Sequence, residues 1–149
     1  NVFAHIDDIN SIVKLILKTL KPDGIFVSES HYLLPLIQTL QYDTIYHEHL
    51  RYYSLESLNY LFKKHNLEII DTKEIPTHGG SIRVYAARKG IFSISNNVSK
   101  QLQKEKKYLN KKSFLNFKKK VVSSKINLFN IIKSRSQTHD IHVRVAGGG

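Results

Sequence analysis

Cysteine is absent from this chain, which excludes disulfide bonds and thiolate metal sites within its 149 residues. No run of about eighteen apolar residues is present either, so we expect no helix that crosses a membrane. No secretory signal is evident, and an intracellular, cytoplasmic protein fits these absences. The chain starts at Asn1 rather than at a methionine and ends in Gly147-Gly148-Gly149. We therefore expect it to be cut at both ends.

Acidic side chains are scarce in the second part of the chain. Residues 91–149 carry thirteen basic and two acidic side chains, whereas residues 1–90 carry ten of each, so the second part supplies the whole net charge of +11. A segment this basic can attract nucleic acid or anionic lipid. Few aromatic residues lie among the lysines and no nucleic-acid-binding motif is present. A solvated basic helix is therefore the favoured interpretation, and a nucleic-acid partner is not expected.

Glycine, proline and polar residues separate the elements predicted for residues 1–90. Lys21-Pro22-Asp23-Gly24 ends a first amphipathic helix. Ser54 is a predicted N-cap, and residues 76–80 join two alternating strands into an antiparallel hairpin. The apolar strand at 25–29 is typical of a parallel sheet. The predicted elements are a strand end at Asn1–Ala4, helices at 9–20, 32–40 and 55–65, and strands at 25–29, 67–75 and 81–89.

The pattern changes after Gly90. Residues 95–137 contain neither proline nor glycine, which predicts one long helix or two in sequence. His139–Ala146 alternates apolar and polar residues and is a predicted strand that runs into the final glycines. Such a strand and turn often open a second α/β unit. We therefore place a domain boundary near residue 90.

Titratable side chains are most concentrated at Tyr46, His47, Glu48 and His49. Proton transfer needs groups that titrate near neutrality, and histidine does so. His49 can act as a general base if an acceptor holds its second ring nitrogen, and Glu48 is a candidate only if the backbone bends. Zinc bound by two imidazoles and a carboxylate is an alternative, although the usual helical spacing and cysteine ligands are missing. A surface loop without chemistry is the other.

Two smaller groups are also candidates for a binding site. His78, Gly79, Gly80 and Ser81 form a turn in which the glycines permit positive φ or close approach to a ligand, although an ordinary hairpin turn has the same composition. Asn1 and His5 follow a predicted strand, and ligands of doubly wound folds bind at the carboxyl ends of strands. The remaining histidines are interpreted as structural or surface residues: His31, His65, His139 and His142.

Four motifs follow one another along the chain: Asn1-Val2-Phe3-Ala4-His5, Leu20-Lys21-Pro22-Asp23-Gly24, Tyr42-Asp43-Thr44-Ile45-Tyr46-His47-Glu48-His49 and His78-Gly79-Gly80-Ser81-Ile82-Arg83-Val84-Tyr85. In this order they resemble the S-adenosylmethionine-dependent C-methyltransferases that act on nucleotide-linked keto-deoxysugars. The string at 42–49 followed by the His-Gly-Gly-Ser turn is highly specific.

The resemblance implies an α/β fold, in which residues 1–90 are the later half of a class I, Rossmann-like methyltransferase sheet with a terminal antiparallel strand pair. Residues 91–149 would be a lysine-rich helical segment that leads into a second, truncated α/β unit.

The family's chemistry methylates a carbon next to a ketone. A base removes the α-proton, and the enolate attacks the sulfonium methyl of the cofactor, so a base and donors to the oxyanion are needed. By resemblance, His49 is the general base, and Tyr46 and Glu48 position it or contact the sugar. The turn at 78–81 would close one side of the pocket that Asn1 and His5 line.

The family's cysteine-rich zinc-binding segment and glycine-rich cofactor loop have no counterpart in these residues. Zinc and most cofactor contacts are therefore expected elsewhere in the intact protein. We expect the isolated chain to be inactive and to have no measurable affinity for S-adenosylmethionine. Two alternatives remain: a methyltransferase paralogue with another small-molecule acceptor, and a basic nucleic-acid-binding module.

Overall fold

A computed structural model describes residues 2–136, whose helices and strands follow the predicted order. Asn1, the strand predicted at His139–Ala146 and the final glycine turn lie outside the described residues. The segment predicted as one or two basic helices forms two, separated at Leu109 and Asn110. In chain order the elements are α1 (Ile9–Thr19), β1 (Ile25–His31), α2 (Leu33–Gln38), α3 (Leu55–Lys64), β2 (Leu67–Ile75), β3 (Ser81–Arg88), α4 (Asn96–Tyr108) and α5 (Lys111–Ser136).

The three strands form one sheet in the order β1-β3-β2, and β3 is antiparallel to both neighbours. This arrangement confirms the hairpin predicted for β2 and β3. Because β1 and β2 run in the same direction on either side of β3, their carboxyl ends lie at one end of the sheet. His31 and Ile75 both pair with Ser81 there. That end of the sheet therefore receives the β2–β3 turn as well as the end of β1.

Two strand predictions differ from the structure. Residues 25–29 were expected to be buried in a parallel sheet, but β1 pairs with the antiparallel β3, and Ile25 and Val27 remain 47% and 49% exposed. Phe3–His5 forms a 3-10 turn, closed by a hydrogen bond from His5 N to Val2 O, instead of a strand end. Phe3 and Ala4 are nevertheless buried. A short apolar run therefore fixes neither the burial of all its residues nor their backbone conformation.

The core lies between the sheet and helices α1 and α3. Ile9 and Val13 on α1 are buried, as the predicted helix face requires. Leu58 and Phe62 are the buried residues on the corresponding face of α3. Helix α4 packs against both α3 and β2. No helix among residues 2–136 is long and apolar enough to cross a membrane. The core of the described chain also includes Leu55, Leu67, Ile69, Ile82, Val84, Ala86 and Val98.

The start of α3 is held by two separate caps. Ser54 Oγ accepts a hydrogen bond from Ser57 N, and Ser57 Oγ accepts one from Ser54 N, which forms a capping box and confirms the predicted N-cap. Glu105 of α4, only 2% exposed, accepts hydrogen bonds from Leu55 N at 2.5 Å and Glu56 N at 3.0 Å. Because α3 starts directly after residues 41–53, these caps also hold the end of that loop.

Candidate active site

The residues predicted to carry chemistry lie on the loop formed by residues 41–53, which crosses the carboxyl end of β1. Leu50 N donates to Ala4 O at 2.9 Å, and Arg51 donates to the carbonyls of Ile6 and Asp7. These bonds fasten the loop to the chain around the Phe3–His5 turn. Tyr53 O accepts a hydrogen bond from Leu33 N at the start of α2. The loop is thus held near both ends, and its middle part faces the sheet end.

A tight turn at Tyr46–His49 decides which side chains meet. His49 N donates to Tyr46 O at 3.2 Å, so the backbone bends and the strict alternation of an extended segment is lost. The rings of Tyr46 and His49 come within 4.5 Å, and Tyr46 Oη lies 3.3 Å from His49 Nε2. The acceptor at the other ring nitrogen is Thr44 O, 3.3 Å from Nδ1, and not the exposed Glu48 carboxylate.

This geometry assigns the tautomer of neutral His49. A backbone carbonyl can only accept a hydrogen bond, so Nδ1 must carry the proton that it donates to Thr44 O. Nε2 then keeps its lone pair and accepts from the Tyr46 hydroxyl. Partial burial lowers the pKa of His49, and the nearby imidazoles of His5 and His31 lower it further. His49 is therefore neutral at pH 7, with a basic nitrogen available.

Other aromatic and imidazole rings surround His49. Its ring centroid lies 4.9 Å from His5, 5.8 Å from Tyr52 and 6.4 Å from His31. Tyr52 Oη donates to Thr44 O at 3.2 Å, so the same carbonyl anchors both side chains. The structure thus brings Tyr46, His49 and His5 together.

The sequence did not predict that His31 lies near His49. The predicted strand ended at residue 29, which left His31 as a structural or surface residue. β1 in fact extends to His31, at the carboxyl end of the strand. The rule that ligands of α/β folds bind at such ends would have found it once the strand was given its full length. His65, by contrast, is buried and shares a hydrogen bond with Asn10.

The glycine turn reaches the site through a protein side chain. Gly79 and Gly80 have φ of +76° and +117°, values that favour glycine. A Cβ on Gly79 would lie 2.5 Å from Gln41 Oε1, and one on Gly80 would lie 2.6 Å from Pro35 Cγ. Ser81 is buried and its hydroxyl donates to Thr77 O, whereas His78 is exposed. The close approach that the glycines permit is therefore to other residues of this chain.

A metal at this loop is not supported by the arrangement of its side chains. Among residues 2–136, no three histidine, cysteine, aspartate or glutamate side chains are placed so that they could hold a metal ion. The His47 ring centroid lies 6.0 Å from that of Tyr46, and the two His49 nitrogens lie within hydrogen-bond distance of Thr44 O and Tyr46 Oη.

Comparison with known proteins places both parts of the chain among methyltransferases. A family model described as a methyltransferase domain matches residues 1–72, and one described as the C-methyltransferase C-terminal domain matches residues 76–147. The chain is also 47% identical over 85 residues to C-methyltransferase NovU of Streptomyces niveus. That match covers 57% of this chain and 20% of the relative, so the chain matches about a fifth of the relative's length.

Proposed function

We propose that this chain is part of a C-methyltransferase and that the whole protein methylates a carbon atom of its substrate. The matches of two family models, over residues 1–72 and over residues 76–147, and the likeness to a C-methyltransferase support this proposal. We propose a nucleotide-linked keto-deoxysugar as the acceptor, since the motifs at 42–49 and 78–81 resemble enzymes of that class. The observation that carries the mechanism is the neutral His49, whose Nδ1 proton is held by Thr44 O and whose Nε2 lone pair faces the Tyr46 hydroxyl at 3.3 Å.

The first step is removal of the proton from the carbon next to the ketone. His49 Nε2 takes this proton, the C–H bond breaks, and its electron pair forms the enolate. The imidazolium that results is stabilised by Thr44 O, which accepts from Nδ1–H and keeps the ring in place. Before this transfer the Tyr46 hydroxyl, which donates to Nε2, turns to the ketone oxygen of the substrate. This frees the Nε2 lone pair for the proton and lets the hydroxyl donate to the enolate oxygen as it forms.

The second step joins the enolate carbon to a methyl group. S-adenosylmethionine is the proposed donor and would supply an electrophilic methyl, whose bond to the sulfonium sulfur would break as the new carbon–carbon bond forms, so that the sulfur would leave as a neutral thioether. The β1–α2 connection has no glycine, so the described residues do not offer the glycine-rich strand-to-helix turn with which such folds cradle a nucleotide cofactor. We assign donor binding to the rest of the whole protein and the acceptor-side chemistry to the residues around His49.

Substitution of His49 in the full-length protein tests the base. His49→Asn should lower methyl transfer by about 100- to 10,000-fold, the usual contribution of a general base, while the methyl donor still binds. Exchange of the substrate α-proton in deuterated water should fall equally. His47→Asn is the matched control, since His47 is an exposed histidine of the same loop. Unchanged turnover in His49→Asn would exclude His49 as the base.

The acceptor class needs a separate measurement. Labelled methyl transfer by the full-length protein is measured against a panel of nucleotide-linked keto-sugars and other small molecules with acidic C–H bonds. Turnover with the keto-sugars supports the proposed acceptor. Turnover restricted to another small molecule would overturn the keto-sugar proposal and show a C-methyltransferase with a different substrate.

A further inference from the structure

The side chain of Gln41 connects three parts of the site. Its Nε2 donates hydrogen bonds to Gly79 O at 2.7 Å and to Thr39 Oγ1 at 2.5 Å. Its Oε1 lies 3.1 Å from His31 Nε2. The backbone carbonyl of Gln41 also accepts from Thr44 Oγ1 at 2.8 Å. One residue thus joins the end of β1, the β2–β3 turn and the loop that carries His49.

The hydrogen bonds fix the orientation of the amide and the tautomer of His31. Gly79 O can only accept, so the NH₂ group of Gln41 must face it, and Oε1 must face His31. Oε1 is also only an acceptor, so His31 Nε2 must carry a proton. A second proton on His31 can therefore bind only at Nδ1.

The backbone around Gln41 is arranged for this contact. Leu40, directly before it, has φ of +60°, a left-handed conformation that is unfavourable for leucine. Non-glycine residues persist in such conformations where the surrounding structure holds them, often near functional sites. Gly79 has φ of +76° and leaves no room for a Cβ beside Oε1. Both segments therefore adopt restricted conformations where the Gln41 amide meets the turn.

We propose that Gln41 is a positioning residue of the active site, which holds His31 in its Nε2-protonated form and ties the β2–β3 turn to the loop that carries His49. Its kinetic consequence rests on the proposed methyl transfer, while its structural consequence does not. The His31 and His49 rings are 6.4 Å apart, so the orientation and charge of His31 act on the base without touching the reacting atoms. Misplacement of a catalytic group by about 1 Å can slow a reaction about 100-fold.

The test uses Gln41→Leu in the full-length protein. Leucine fills a similar volume but neither donates nor accepts hydrogen bonds, so all the side-chain bonds of Gln41 are lost. We expect kcat to fall about 10- to 100-fold with KM changed less than threefold. Gln103→Leu on α4 is the matched control, because Gln103 is exposed and far along the chain from the site. Turnover within twofold of the wild type in Gln41→Leu would overturn the kinetic part of the inference.

Imidazole nitrogen spectra of full-length protein labelled with ¹⁵N-histidine report the His31 tautomer directly. The wild type and Gln103→Leu should show His31 protonated at Nε2, and Gln41→Leu should show a mixture of tautomers. An Nδ1-protonated neutral His31 in the wild type would contradict the proposal. This readout does not need methyl transfer, so it decides the role of Gln41 even if the protein proves to catalyse another reaction.

Gln41→Glu separates the two contacts and remains decisive if Gln41→Leu fails to fold. A carboxylate still accepts from His31 Nε2, but it cannot donate to Gly79 O or Thr39 Oγ1. We expect this variant to keep the Nε2 proton on His31 and to lose about tenfold in kcat. Wild-type kcat in Gln41→Glu would exclude a role for the link between Gln41 and the turn.

Discussion

At the scale of single residues, the proposed base, His49, is held by a backbone carbonyl instead of a neighbouring carboxylate. Thr44 O holds His49 Nδ1 and also accepts from Tyr52, whereas Glu48, next to His49 in sequence, is exposed. A neutral carbonyl orients the ring without the strong pKa increase that a carboxylate partner would cause. The arrangement therefore favours a base that is unprotonated near pH 7.

The pH dependence of kcat/KM should reveal the charges around His49. Activity requires neutral His49, so it should rise with pH through the His49 pKa, which lies below its ordinary value of 6.5 because of burial and the nearby His5 and His31. His5→Asn removes an imidazole that lowers the His49 pKa, so this pKa should rise and the acidic limb of the profile should move to higher pH. His47→Asn should leave the limb in place. A limb that moves to lower pH in His5→Asn would contradict this electrostatic account.

At the scale of secondary structure, α3 depends on a residue about 50 positions away. Glu105 satisfies two backbone N–H groups that the first turn of any helix leaves free, and its negative charge suits the helix N-terminus. The capping box of Ser54 and Ser57 satisfies another. α4 is thus attached to α3 at the point where the loop at residues 41–53 ends.

Loss of the Glu105 carboxylate should lower the stability of the fold. Glu105→Gln keeps the size of the side chain but leaves one oxygen to serve two buried N–H groups, so we expect the free energy of unfolding to fall by about 1–3 kcal/mol. Tyr60→Phe on the exposed surface of α3 is the control and should change it by less than about 0.5 kcal/mol. Denaturant unfolding measures both. Equal stability of the two variants would show that the buried cap contributes nothing.

At the scale of the whole molecule, the segment matched by the C-terminal family model touches the loop at residues 41–53, which carries His49. α5 packs against α2, and Ser124 Oγ lies 3.0 Å from Tyr42 Oη. Tyr42 begins the 3-10 turn Tyr42–Thr44, whose last carbonyl holds His49. The basic helix is therefore part of the framework of the site, in addition to any role of its exposed lysines.

Ser124→Ala should loosen this loop without changing the core. Loss of one hydrogen bond of about 0.5–1.5 kcal/mol corresponds to an increase of about 2- to 10-fold in amide hydrogen exchange at Ile45 and His49. Exchange measured by mass spectrometry over residues 42–49 detects this change. Ser123→Ala, a substitution of the exposed neighbour, should have no effect. Equal exchange in the two variants would argue against coupling through Ser124.

The sequence by itself determined the helices, the β2–β3 hairpin and the loop that was proposed to carry the chemistry. Those features depend on neighbours in the chain: apolar spacing in α1 and α3, the Ser54 cap, and the residues that end each element. The concentration of titratable groups at 46–49 is likewise a local property, and it identified His49 as the candidate base before any contact was known.

Only the tertiary structure decided what surrounds that base. The bend at 46–49 gave His49 the Thr44 carbonyl as its partner, and the sheet placed His31 beside it. Gln41 Nε2 donates a hydrogen bond to Gly79 O, although the two residues are 38 positions apart in the sequence. Strand order and side-chain contacts between distant segments depend on how the elements pack together, and no local pattern encodes them. The sequence therefore predicted His49 as the candidate base, whereas its tautomer and its supporting residues came from the fold.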